Sequence, residues 1–167
     1  MARVFISIGS NVGDRVANCT RAIDELARAQ GVAVTERSSF YETEPWGGVA
    51  QGDFINCVIE AQVALAPRAL LTLLKSVEKK LGRAGTMRLG PREIDLDIIF
   101  YGDLVIGEAG LDVPHPHVHE RAFVLVPMRE IAPGFLHPVL KKTVAELAAA
   151  LEGAQVVKKL TNPGGTL

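Results

Sequence analysis

Stretches of the chain with a regular hydrophobic period follow one another in an order that leaves few folds open. Val4, Ile6 and Ile8 alternate with Phe5 and Ser7, so residues 3–8 read as a two-faced strand. After the turn GSNVGD, Val16, Cys19, Ile23 and Leu26 recur at helical spacing over residues 14–29. Asn11 or Asp14 can cap that helix, and Gly31 ends it. Residues 32–40 read as a second strand, and YETEPWGGVAQGD, 41–53, as a loop by its Pro and Gly content. In a third strand at 54–63, Ile55, Cys57, Ile59, Ala61 and Val63 face one way, and Phe54, Asn56, Val58 and Glu60 the other. Pro67 opens a second helix carrying Leu70, Leu74, Val77 and Leu81, which Gly82 closes. A fourth strand follows, in which Ile94, Leu96, Ile98 and Phe100 alternate with Asp95, Asp97 and Ile99.

The order β-α-β-β-α-β predicts an α+β protein of ferredoxin-like arrangement, with helices packed on an antiparallel sheet. The last third adds shorter pieces: a capping-box pattern in TVAEL, Thr143 with Glu146, and a candidate strand at 155–160. Residues 1–160 are expected to form one domain, with 161–167 as a loose tail. At 48% hydrophobic and 22% charged residues, the 167-residue chain has the balance of a globular protein. A net charge of -1 gives no reason to expect a nucleic acid partner. Two cysteines, Cys19 and Cys57, make neither a disulfide framework nor a metal pair, which fits a reducing cytoplasm. The N-terminus lacks a signal-peptide hydrophobic region, and no apolar run reaches the ~20 residues of a membrane span.

Asp is poorly suited to strands, yet Asp95 and Asp97 share one strand face, about 6.6 Å apart along the chain. Two such carboxylates suit Mg²⁺, which takes one or two acids and completes its shell with water and phosphate oxygens. They also suit an edge strand protected by charge. The preceding segment bears on that choice. Lys79, Lys80, Arg83, Arg88 and Arg92 are unaccompanied by any acid, and Gly82, Gly85 and Gly90 loosen the loop. Arginines on a loop that closes can clamp phosphate oxygens. An exposed basic loop that simply stays hydrated is the alternative. Basic loop and paired acids together suggest a metal–polyphosphate site.

GSNVGD has neither a Walker lysine nor the G-x-G-x-x-G pattern, and reads as a tight turn with a helix cap. HPHVH places His115, His117 and His119 at alternate positions. Pro114 and Pro116 make this a stiff extended loop, so a phosphate contact by one ring is favoured over a zinc site. Phe54 and Asn56 share a strand face, an aromatic ring beside an amide, which suits a flat heterocycle. Pro45, Trp46 and Phe123 are candidates for the same pocket.

These residues carry a resemblance to a known family. ISIGSNVGD, SSFYETEPWG, DFINCVIE, GPREIDLDIIFYG and VPHPHVHERAFVLVPMREIAP resemble the 6-hydroxymethyl-7,8-dihydropterin pyrophosphokinases of folate biosynthesis, over almost the whole chain. The resemblance implies a ferredoxin-like core, ATP as co-substrate, two Mg²⁺ ions, and transfer of the terminal diphosphate of ATP to the pterin hydroxymethyl oxygen. It implies that Asp95 and Asp97 bind both metals, and that Arg83, Arg88 and Arg92 bind or neutralise phosphates. His115 and Arg121 would hold the triphosphate from the other side. The pterin would stack between Phe54 and Phe123, with Asn56, Asp95 and the segment Thr43, Pro45 and Trp46 around its edges. Leu71, Glu78 and Ile98 fall where the family contacts ATP. Leu89, Gly110, Asp112 and Pro116 depart from residues that some members carry at the matching places. A monomer is expected.

Overall fold

The computed structural model describes residues 1–44, 52–82 and 93–161. In chain order, β1 (Ala2–Ser10) leads to α1 (Arg15–Arg28), β2 (Val32–Arg37), β3 (Tyr41–Thr43) and β4 (Phe54–Val63). Next come α2 (Pro67–Lys80), β5 (Asp95–Tyr101), and the hairpin strands β6 (Ile106–Glu108) and β7 (Leu111–Val113). After a 3-10 turn at Val118–Glu120, α3 (Ala122–Ile131), α4 (Val144–Ala150) and β8 (Val157–Lys159) complete the described elements. The main sheet runs β5-β1-β4-β3-β8, with β2 also paired to β4. All its pairings are antiparallel, the order a ferredoxin-like core requires.

Strand alternation separates two cores. Val4, Ile6 and Ile8 of β1 and Ile55, Cys57 and Ile59 of β4 pack against Cys19, Ile23 and Leu26 of α1 and Leu70, Leu74 and Val77 of α2. On the other face, Phe5 and Val58 meet Val124, Leu125 and Met128 of α3 and Val144 and Leu147 of α4. α1 begins at Asp14, whose carboxylate accepts from the Ala17 N–H, so Asp14 is the cap. α4 begins with the expected box, Thr143 and Glu146 bonding reciprocally. Gly82, just past α2, has φ 96°, a conformation that favours glycine. Cys19 and Cys57 are buried free thiols, and the hydrogen bond between them together with burial raises the Cys57 pKa well above its ordinary value.

Four features differ from the sequence reading. Tyr41–Thr43, expected as loop, is a strand held between β4 and β8. Residues 38–40 leave the second strand, because Ser38 bonds Val58 through both its backbone N–H and its hydroxyl. α3 was legible only as short apolar segments, since Pro127 lies inside it and interrupts a helical reading. In the Asp-bearing strand, which lies at the sheet edge, the expected alternation breaks. Phe5 pairs with Phe100 while Ile6 pairs with Ile98, so Ile99 is an extra residue on β5. That bulge sends both Ile99 and Phe100 into the second core and Tyr101 into the first.

Candidate active site

Register, more than any single motif, assembles the site. Gly9 of β1 lies opposite Asn56 of β4 on one side and opposite Asp95 of β5 on the other. Two residues along, Ser7 lies opposite Val58 and Asp97. Directly paired residues share a face, so Asp95, Asp97, Phe54 and Asn56 project to one side, around the missing side chain of Gly9. Asn56 is buried and donates through Nδ2 to Thr43 Oγ1 at 2.6 Å, which turns its Oδ1 toward Gly9. A Cβ on Gly9 would stand 2.5 Å from that Oδ1 and 3.5 Å from Phe54 Cδ1.

The turn after β1 ties this row to the start of β4. Asn18 of α1 donates to Ser10 Oγ at 3.2 Å and to the Val12 carbonyl at 2.9 Å. Asn11 donates to the Gly52 carbonyl at 3.1 Å, and Arg15 to the Asp53 carbonyl at 2.9 Å. GSNVGD is thus a clasp with a capped helix, as its residue types suggested.

His115 and Arg121 form a second wall. The His115 backbone N–H donates to the Ile99 carbonyl at 3.0 Å, which anchors the loop beside the bulge. His115 Nδ1 accepts the His117 N–H at 3.1 Å, so the neutral ring carries its proton on Nε2. Burial, then the charge of Arg121, lowers the His115 pKa to about 4, and the ring is neutral at pH 7. Its Nε2 lies 3.3 Å from Arg121 Nη1. Two N–H groups side by side suit a phosphate oxygen. Arg121 also lies over the Phe123 ring, 5.6 Å from its centroid.

The carboxylate pair is electrostatically strained. Burial, and next the charge of Asp95, raise the Asp97 pKa from 3.8 to about 7, against the opposing pull of Arg121. Two acids side by side, one of them resisting ionisation, are a donor set suited to a hard divalent cation, whose charge would favour the carboxylate form of Asp97. Among the described residues, no group of three or more His, Cys, Asp or Glu converges to hold a metal. Protein ligands from this pair alone would leave coordination positions for substrate oxygens.

Residues 5–133 match the family described as 7,8-dihydro-6-hydroxymethylpterin-pyrophosphokinase (HPPK). The chain belongs to this family. It is 42% identical over 146 residues to a relative in Aquifex aeolicus named 2-amino-4-hydroxy-6-hydroxymethyldihydropteridine pyrophosphokinase, covering 87% of this chain and 90% of that one. A relative of the same name in Methylorubrum extorquens is 40% identical over 152 residues, covering 91% and 95%. Among solved structures, the HPPK-DHPS protein of Plasmodium falciparum superposes with a TM-score of 0.75 at 15% identity, a likeness of fold. The alignment covers 92% of this chain and 45% of that longer one.

In this HPPK-family chain, Asp95, Asp97, Phe54, Asn56 and Thr43 lie together on or beside one sheet face, and His115, Arg121 and Phe123 come from the β7–α3 segment. Leu71 and Ile98 both pack on the core formed with α1 and α2, on the opposite face from the two acids. Glu78 is buried on α2, where its carboxylate accepts the Leu96 N–H at 2.8 Å and lies 3.5 Å from Lys75 Nζ. It therefore holds the edge backbone between Asp95 and Asp97. Pro45, Trp46, Arg83, Arg88 and Arg92 lie outside the described residues. The three histidines of HPHVH part company, His117 Nδ1 lying 3.0 Å and His119 Nε2 3.7 Å from Glu120 Oε1.

Two contributors escaped the sequence reading. Gly9 stands in an ordinary-looking turn motif, and only strand register reveals its position between Asn56 and Asp95. Glu130 of α3 accepts from Ser39 N–H at 2.8 Å, Ser39 Oγ at 2.7 Å and Tyr41 OH at 3.0 Å. That clamp joins the helix bearing Phe123 to the strand bearing Thr43.

Proposed function

We propose that this chain transfers the terminal diphosphate of ATP to the hydroxymethyl oxygen of 6-hydroxymethyl-7,8-dihydropterin, releasing AMP, as a step of folate synthesis. The observation that carries the reading is the row Asp95–Gly9–Asn56 in strict register, a paired-acid site adjoining an amide on one sheet face. Family membership supplies the substrate class, and the row supports where each substrate lies.

In this reading the pterin stacks between Phe54 and Phe123. Asn56 reads its hydrogen-bonding edge, with Thr43 holding the amide, and Pro45 and Trp46 are further residues proposed to contact the pterin. Asp95 and Asp97 hold two Mg²⁺ ions, which neutralise phosphate charge and polarise the reacting oxygens when bound. His115, neutral and donating from Nε2, and Arg121 grip phosphate oxygens from the second wall. Arg83, Arg88 and Arg92 are the residues proposed to bind or neutralise phosphate oxygens. The pterin hydroxyl oxygen attacks the β-phosphorus in line, the bond from that phosphorus to the oxygen bridging the α-phosphate breaks, and AMP leaves with that oxygen. The hydroxyl proton passes to solvent. Positioning and charge stabilisation carry such a transfer, without covalent catalysis.

Incubation with Mg-ATP, with and without the hydroxymethyl-dihydropterin, tests the proposal. AMP and pterin diphosphate formed only when the pterin is present are the expected products. Phosphate release without pterin would mark a phosphohydrolase, and ATP binding without turnover a non-catalytic nucleotide module.

A further inference from the structure

We infer that Gly9 determines the pterin affinity of this site, by leaving room for Asn56 to hold its amide in one orientation. The inference rests on the pterin reading above and adds a residue to it. Gly9 is the one position of its cross-strand row that projects no side chain between Asn56 and Asp95. Its backbone is not what demands glycine: unlike Gly13 at φ 72° and Gly82 at φ 96°, it is not among the positive-φ residues. The demand comes from a neighbour. An added Cβ would lie 2.5 Å from Asn56 Oδ1, a contact that real Cβ atoms do not make, with Phe54 Cδ1 at 3.5 Å behind it.

Asn56 has little freedom to retreat. It is 4% exposed, and its Nδ2 is already committed to Thr43 Oγ1 at 2.6 Å, itself on a residue 1% exposed. Moving Oδ1 away from a new methyl breaks that bond or forces the amide to rotate. Either result misaligns the carbonyl oxygen that accepts from a ring N–H or amino group of the heterocycle. The void left by Gly9 also keeps the floor between the amide and the Asp95 carboxylate flat, so that a planar ring edge can reach both. Nucleotide binding depends on the opposite wall and on the acids, so the effect falls on one substrate.

The test is a double-mutant cycle of Gly9→Ala and Asn56→Ala. It is read by calorimetric titration with 6-hydroxymethylpterin and by the KM for ATP in the transfer assay. Gly9→Ala alone is expected to weaken pterin binding about tenfold, the value of one well-made hydrogen bond in a buried site, with the KM for ATP within about twofold of the parent. In the Asn56→Ala background, where the obstructed amide is gone, Gly9→Ala is expected to change pterin binding less than about threefold. An equal loss in both backgrounds would overturn the inference, because Gly9 would then act through the backbone. So would unchanged binding in the single variant. If Gly9→Ala does not fold, Thr43→Val releases the same amide and must weaken pterin binding while sparing ATP; unchanged pterin binding there overturns the inference. Failure of the parent chain to transfer diphosphate is a separate result, and it removes the functional reading itself.

Discussion

Asp97→Asn separates the role proposed for the paired acids in the reaction from what they cost the fold. The substitution keeps size and shape but removes a carboxyl whose pKa is raised to about 7 from 3.8, by burial first and by Asp95 next. Roughly three pKa units at 1.36 kcal/mol each set a ceiling of about 4 kcal/mol on the cost of ionising it in the folded chain. Asp97 is only partly buried, so solvent screening reduces the observable part to about 1–2 kcal/mol. A raised carboxyl pKa means that the native state binds the proton more tightly than the unfolded chain. The associated stability is therefore complete below about pH 4 and is lost as pH rises through about 7. Urea unfolding in EDTA from pH 4.5 to 8 should show the parent losing about 1–2 kcal/mol relative to Asp97→Asn across that window. Diphosphate transfer should fall by several orders of magnitude in the same variant. Added MgCl₂ at pH 8 should restore stability to the parent alone. Parallel pH profiles for the two proteins would refute the account of the pair, whatever the activity.

Two further outcomes follow from buried hydrogen bonds. Glu78→Ala leaves the Leu96 N–H without its acceptor and should cost about 1–3 kcal/mol with faster hydrogen exchange at Leu96, whereas Glu78→Gln, which keeps an acceptor, should lose less than half as much; equal values for the two variants would refute the strand-holding role. Glu130→Gln should lower the Tyr41 phenol pKa from about 12, since Glu130 adds to burial in raising it; ultraviolet pH titration measures this, and an unmoved phenol would contradict the clamp.

Much of the site follows from arrangement between strands. Asp95 and Asp97 were visible as an unusual pair, but the same pattern fitted an edge strand armed with charge. β5 is indeed an edge strand, and its outer Leu96 N–H is met by Glu78 from α2. That bond joins residues 18 positions apart, and no local pattern announces it. Asn56 was recognisable as a polar residue on an apolar strand, while its orientation depended on Thr43, which the sequence placed in a loop. His115 was distinguishable from His117 and His119 only through family resemblance. In the folded chain its Nδ1 takes a backbone N–H and its ring lies half-buried beside Arg121, while the other two turn to Glu120.

The sequence by itself determined the β-α-β-β-α-β order of the core, the two faces of β1 and β4, the capping box of α4, and the paired acids. Each of these rests on residue spacing within a dozen positions, where side-chain direction is set by the backbone period. Tertiary structure decided which strands became neighbours and in what register. Pairing energy depends on partners far apart in the chain, and a shift of one residue reverses every side chain. That register set Gly9 between Asn56 and Asp95, made an extra residue of Ile99, and turned Tyr41–Thr43 from apparent loop into a strand.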